Sequence, residues 1–513
     1  MKRYLYLLHR WLGVSLCLFM ALWFFSGVVM MYVGYPKLTV AQRLAHLPDL
    51  GNPAVVPLAL AARAVPPEAN VSSITLTSVA GKPQYQFGTL SATRQRGIVA
   101  VDALSGAKLQ RVSADDALRA AHAFMPDAAA QYRDAVNEDS WSHSRALDLH
   151  RPLHRVQMDD PAHTLLYVSS ATGDVVRVAT RSERLWNFAG AWLHWLYMFR
   201  GGPLDDAWTG IVIYLSLAGV LLAVSGSVVG LLRWRFRGRF RSGSKTPYRE
   251  PVMRWHHLSG LLFGTLAITW IFSGLMSMNP WKMFNADAAP LDRTAYAGGT
   301  LQPAQFQLQA SDALTALRGD LQAREIGWHR LAGQAYLVAT DGNGRTRIVR
   351  GAGQAPLDIF PTPQLLDAAQ HLSAAPIAET SMLERYDNYY YDRDNHTMMG
   401  DAARRLPLLR VKFADAQQTW VHIDPYSGNV VGQLDQRQRL QRWLFSFLHS
   451  WDLPPLLASR PLWDIAMILF SIGGLLLSTT GIVIAVRRCR AGWNRRDAVA
   501  CAYFNFEERQ RSS

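Results

Sequence analysis

Four histidines stand at the ends of apolar segments, in two matching settings. His9 opens LHRWLGVSLCLFMALWFFSGVVM, and His256 lies in RWHHLSGLLFGTLAITWIFSGLMSM. His194 sits in FAGAWLHWLYMF and His449 in LFSFLHSWD, each shortly before a further apolar stretch. Histidine is costly in hydrocarbon and is a common metal ligand. A lone interfacial histidine is more often a satisfied polar side chain. Four of them in repeated settings point to metal or haem sites inside a membrane.

These residues need helices to place them. Four segments, 11–35, 207–232, 257–279 and 462–486, are long and apolar enough to span a bilayer core, which takes about 20 residues. The first continues apolar past any A-x-A-type cleavage site and is read as a retained anchor. The chain has 513 residues, 49% of them hydrophobic, and a formal net charge of +14. The basic residues cluster: Lys2 and Arg3; Arg233, Arg235, Arg237, Arg239, Arg241, Lys245 and Arg249; Arg487, Arg488 and Arg490. By the positive-inside rule all three clusters are cytoplasmic, as are both termini, and the two long polar regions lie outside. The charge therefore marks topology and contact with the lipid bilayer; nucleic acid binding is not expected. Cys17, Cys489 and Cys501 form no disulfide framework.

The sequence aligns with itself. Residues 184–233 match 439–488 at an offset of 255, pairing His194 with His449, Trp208 with Trp463, Gly219 with Gly474, Gly226 with Gly481 and Arg233 with Arg488. The first helices match at an offset of 247, pairing His9 with His256, Trp23 with Trp270, and Phe25-Ser26-Gly27 with Phe272-Ser273-Gly274. Each half reads as helix, exterior region, short histidine-bearing helix, helix. The expected boundaries are 1–35, 36–183, 184–233, a basic loop 234–253, then 254–279, 280–438, 439–488 and a tail 489–513. Both halves have one topology, which relates them by an axis along the membrane normal.

The exterior regions alternate strand and helix signals. QYQFGTL, GIVAVDALSGAKL, TLLYVSSATGDVVRVA, AYLVATDGNGRTRIVR and TWVHIDPYSGNVVGQL read as hairpins, and ADDALRAAHAFM and TPQLLDAAQHL as amphipathic helices. The expected class is α+β, small antiparallel sheets each covered by a helix. No dinucleotide fingerprint, P-loop or H-E-x-x-H zinc motif appears, and no residue stands out as an acid–base catalyst.

Several motifs carry a family resemblance: the hairpin ending Asp424–Val431 with SSATGDVV in the first half, LHRWLG, YDNYYYDRD at 386–394, LHS at 448–450, RPLWD at 460–464 and TTG at 479–481. Together they resemble the PepSY-associated transmembrane proteins. The resemblance implies a membrane α-helical bundle with α+β PepSY-like periplasmic domains, in the bacterial inner membrane. It also implies a role in iron uptake, some members being di-haem reductases of ferric siderophores. The YDNYYYDRD run is clear only in the second half; the first has DSWSHSRALD.

The topology sorts the histidines by membrane face. His9 and His256 fall near the cytoplasmic face, His194 and His449 near the periplasmic one. The expectation is two b-type haems, one held by each pair, serving as a transmembrane electron relay. Pairing His9 with His194, and ligation by His257 in place of His256, are the alternatives. Arg10, Arg254, Arg200 and Arg460 are candidates for propionate pairing or interfacial anchoring. The expected acceptor is a periplasmic ferric siderophore or other ferric chelate; the donor is a quinol or a separate cytoplasmic flavoprotein. The rival functions are a membrane-anchored PepSY-type binding or regulatory protein and a proton-coupled transporter. The exterior histidines His122, His143, His150, His154, His163, His329, His371, His396 and His422 have no metal-type spacing and are read as surface or hairpin residues.

Overall fold

The computed structural model describes residues 2–200, 202–395, 397–398, 400 and 404–511, with side chains as far as 491. His396 lies outside the described residues. The chain forms two compact units. One comprises Met1–Tyr32, Phe188–Asn285 and Leu440–Ser513; the other comprises Val33–Asn187 and Ala286–Arg439.

The first unit is built on four long apolar helices: α1 (Lys2–Met30), α2 (Trp208–Arg233), α3 (Pro251–Ser277) and α4 (Leu462–Arg511, apolar over Leu462–Ala491). Each is long and apolar enough to cross a membrane. α1 begins at Lys2, earlier than its apolar run, and ends at Met30 rather than Tyr35. Gly34 and Pro36 cannot prolong it, and the residue before a proline is biased away from the helical region. His9 therefore sits about two turns inside the helix. α3 starts one turn before His256: Pro251 takes the first helical position, and the Glu250 carboxylate accepts the Met253 N–H at 2.7 Å. Helices α1 and α3 each pack against both α2 and α4, giving the ring order α1–α2–α3–α4. Small residues permit the close approach: a Cβ on Gly474 of α4 would meet the Phe24 ring of α1 at 2.4 Å.

The second unit holds three antiparallel sheets. One has four strands, Ala129–Val136, Leu153–Asp159, Leu165–Ser169 and Val175–Ala179, covered by the helix Ala114–Phe124. Another has Ile377–Leu383, Leu408–Phe413, Trp420–Ile423 and Val430–Leu434, covered by Thr362–Ala369. The third has six strands. Asn70–Val79, Lys82–Leu90 and Arg96–Asp102 join Glu325–Leu331, Gln334–Thr340 and Thr346–Val349 through the pairs Ile74–Trp328 and Leu76–Ile326. Strands from both polar stretches of sequence therefore share one core, with Ile74, Leu76, Phe87, Trp328 and Leu337 buried in it.

Two histidines read as surface or hairpin residues are buried instead. His154 and His422 lie on inward faces of their strands, 7% and 1% exposed. His154 Nε2 meets the Val112 carbonyl at 3.0 Å, and His422 Nε2 accepts from Arg410 Nε at 2.9 Å. Burial, with the Arg410 guanidinium beside it, holds His422 down to about 3, so it is neutral at physiological pH. Arg410 also binds Asp387 of the YDNYYYDRD run through both terminal nitrogens. Arg155, which matches Arg410 at the offset of 255, pairs with Asp139 at 3.0 Å and with Asp134. Tyr386 and Tyr390 donate to the Arg404 and Arg405 carbonyls at 2.7 and 3.0 Å. The run thus clamps its own sheet. Arg410→Met is expected to destabilise the protein by about 3 kcal/mol, because Asp387 and His422 lose a nearly buried partner; chemical unfolding of purified protein measures it.

Candidate functional site

The four apolar-segment histidines come together in the helical unit, in two pairs. His9 of α1 and His256 of α3 face each other across the ring of helices, with ring centres 6.3 Å apart and planes at 33°. His194 and His449 have ring centres 6.0 Å apart and planes at 78°. His194 follows the π-helical turn Phe188–Trp192, which packs on α1, and His449 follows Arg442–Phe447, which packs on α3. Leu196 and Trp451, two residues beyond each histidine, take the left-handed conformation that ends the turn. The Trp208 and Trp463 indoles then donate to the carbonyls of Trp195 and Ser450 at 2.7 and 3.0 Å. These tryptophans tie the histidine turns to α2 and α4.

Each ring is held through Nδ1. His9 Nδ1 meets the Leu222 carbonyl and His256 Nδ1 the Leu477 carbonyl, both at 3.3 Å. A carbonyl only accepts, so Nδ1 carries the proton. His256 Nδ1 also reaches Thr480 Oγ1 at 3.1 Å, whose own hydrogen goes to the Leu476 carbonyl at 2.8 Å. His194 Nδ1 is 3.0 Å from Ser26 Oγ, which donates to the Leu22 carbonyl at 2.6 Å. His449 Nδ1 is 3.0 Å from Ser273 Oγ, which donates to the Trp270 carbonyl at 2.9 Å. Each hydroxyl has a carbonyl to take its hydrogen, which leaves its oxygen open to accept from Nδ1. With Nδ1 donating, Nε2 is the nitrogen through which such a histidine binds a metal.

Each imidazole also rests against a glycine. A Cβ on Gly226 would meet His9 Cε1 at 2.6 Å, and one on Gly481 would meet His256 Cε1 at 3.6 Å. Gly27 and Gly274 stand in the same relation to His194 and His449, both at 3.8 Å. His257 differs. Its Nδ1 lies 2.7 Å from Thr246 Oγ1 and its Nε2 2.9 Å from the Gly230 carbonyl, so both nitrogens are used, and the side chain is buried. Of the arginines considered for propionates, Arg200 lies over the Tyr197 and Trp208 rings and Arg460 over Trp463, with Arg460 Nε 3.3 Å from Asp464.

Residues 6–352 match the family described as the PepSY-associated TM region. The chain belongs to this family. It is a multi-pass membrane protein with four candidate spans. No curated protein is detectably similar to it in sequence. The PepSY-associated match includes His9, His194 and His256 and ends before His449.

The sequence reading did not single out the hydroxyls that set the tautomers. Ser26 and Ser273 are central in the matched Phe-Ser-Gly triplets, where small residues read by default as helix-packing positions. Their signal was a hydroxyl kept at the 247-residue offset within apolar sequence.

The pairs fit a bis-histidine metal centre. With metal–nitrogen bonds of about 2.0–2.1 Å and about 1.2 Å from nitrogen to ring centre, two imidazoles on opposite sides of one ion have centres about 6.4 Å apart. Trp270 Nε1 is buried in this unit without a hydrogen-bond partner, whereas its counterpart Trp23 Nε1 donates to the His194 carbonyl at 2.9 Å. Among the described residues no third His, Cys, Asp or Glu completes either pair.

Proposed function

We propose that this protein is a di-haem b oxidoreductase of the bacterial inner membrane that reduces a periplasmic ferric complex, such as a ferric siderophore, and so releases its iron. The observation that carries this reading is the pairing itself: two histidine pairs with ring centres 6.3 and 6.0 Å apart, the spacing of a shared metal, each ring held through Nδ1. Two nitrogens per site suit haem, whose macrocycle fills the other four positions; a bare ion ordinarily takes four or more protein or water ligands. His9 and His256 would hold one haem and His194 and His449 the other. Haem supplies one-electron chemistry between its ferric and ferrous states when bound.

The chain's own residues set up that chemistry. The Leu222 and Leu477 carbonyls, Thr480, Ser26 and Ser273 orient the rings and raise their basicity through Nδ1–H. His9 and Ser26 are 17 residues apart on α1, as are His256 and Ser273 on α3, so the two sites are about 25 Å apart along the helices. The intervening packing of Leu16, Met20, Phe24, Ala267 and Ile271 is apolar. That packing disfavours a proton relay between the pairs. The basic flanks orient His9 and His256 toward the cytoplasm. The overall change is transfer of one electron per iron, from a quinol or reduced flavoprotein on the donor side to Fe(III), giving Fe(II). A chelator selected for Fe(III) holds Fe(II) more weakly, and no bond to the protein forms or breaks.

Vesicles containing the haem-loaded protein, with dithionite trapped inside and a ferric siderophore plus a coloured Fe(II) chelator outside, test this. Fe(II) is expected to form outside well above the rate in protein-free vesicles. Equal rates with both haems present would refute the reductase reading.

A further inference from the structure

The strand-rich unit carries a half-open cavity of about 300 Å³, at the lower end of the range for small-molecule pockets. It is lined by the end of the helix Val40–His46, the turn at Val79–Gly81, the end of the helix Ala114–Phe124, the start of the strand Val175–Ala179, and Arg324 from the far stretch of sequence. One wall is flat and aromatic: the His46 and Phe124 rings stack with centres 4.1 Å apart and planes at 7°. Ala120 and Val79 extend the apolar lining.

Two charged side chains also line it, Arg324 and Asp174. The protein matches neither well. Arg324 is partly exposed at the pocket, and since its Nε is packed away from solvent, its terminal nitrogens are what a ligand can reach. Asp174 has Arg43 Nε at 3.5 Å, while the terminal nitrogens of Arg43 bind Glu325, one at 2.8 Å. Burial pushes the Asp174 carboxyl up to about 6, with Arg43 opposing and Glu325 reinforcing the shift. Weakly paired, partly buried charges are ready partners for a ligand of complementary charge.

We infer that this cavity binds a small zwitterion, of the size of an amino acid or dipeptide, with its carboxylate on Arg324 and its ammonium on Asp174. A simple anion would place its charge beside Asp174, and a simple cation would place its charge beside Arg324. A molecule carrying both charges answers both walls. The planar guanidinium suits a carboxylate, and the stacked rings suit an apolar or aromatic side chain between the two charged ends. This inference is independent of the haem reading.

Calorimetric titration of the full-length protein in detergent tests it, with glycyl-phenylalanine as probe beside its N-acetyl and C-terminal amide derivatives. Glycyl-phenylalanine is expected to bind. Removing one ligand charge, or substituting Arg324→Gln or Asp174→Asn, should weaken binding at least about tenfold. Both substitutions leave the Arg43–Glu325 pair in place, and an unchanged melting temperature verifies the fold. No binding by the free dipeptide would overturn the inference. So would equal binding by the acetylated form, which would indicate an anion site only, or equal binding to the Arg324→Gln variant. Haem content measured on the same samples keeps a failure here distinct from a failure of the proposed function.

Discussion

On the proposed function, His449→Ala is expected to hold about one haem per chain instead of two, with the remaining haem at His9 and His256. The variant deletes one nitrogen ligand of a two-ligand site. Its partner His194 keeps Ser26 and stays in place, but one axial histidine holds the group less firmly. The His9–His256 pair, the inner one in the proposed orientation, lies about 25 Å away along α1 and α3. The ring planes supply a spectroscopic label. The outer imidazoles are near perpendicular at 78°, and the inner ones are inclined at 33°. Near-perpendicular axial imidazoles give low-spin ferric haem a strongly anisotropic electron paramagnetic resonance signal; planes closer to parallel give a rhombic one. The variant should lose the strongly anisotropic signal and keep the rhombic one. Loss of both would show that the two sites do not hold haem independently, and loss of neither would remove His449 from the ligand set.

Gly226→Val empties the inner site while the protein still folds. The added Cβ would sit 2.6 Å from His9 Cε1 and 3.0 Å from Nδ1, far inside van der Waals contact. The obstacle is the end of a side chain, so the imidazole swings aside and the helices stay packed. That movement breaks the bond from Nδ1 to the Leu222 carbonyl and turns the ring out of its place beside His256. Inner-haem occupancy should fall at least about tenfold, as when the groups that orient a metal-bound histidine are lost. Gly481→Ala makes the contrast: its Cβ meets His256 at 3.6 Å, an ordinary contact, and both haems should remain. Full inner occupancy in Gly226→Val, read from the rhombic signal, would show that His9 is not held as described.

The four spans were legible because bilayer-length apolar runs have few other uses. Their ends were less so, since α1 extends through the polar residues Lys2 and Arg3, which do not oppose a helix. The hairpins with glycine turns, such as Leu165–Ser169 with Val175–Ala179, announced themselves locally. The Ile74–Trp328 pairing did not: the two strands are some 250 residues apart, and each reads alone as an ordinary edge. The meeting of Arg324 with Asp174 in one cavity is a consequence of that long-range pairing. For the candidate site, the repeat offsets identified the histidines. The tautomers were not legible, because they depend on carbonyls such as Leu222 and Leu477, which any residue could supply. His154 and His422 show the converse: alternation along a short strand does not say which face a histidine takes when an arginine or a carbonyl waits inside.

The most direct measurement is the haem-to-chain ratio and absorption spectrum of the full-length protein, purified after expression with haem supplied. Two haems per chain are predicted, with b-type Soret and α bands that sharpen on reduction, and with one haem lost in His9→Ala and the other in His449→Ala. A correctly folded protein with no Soret band would contradict the account.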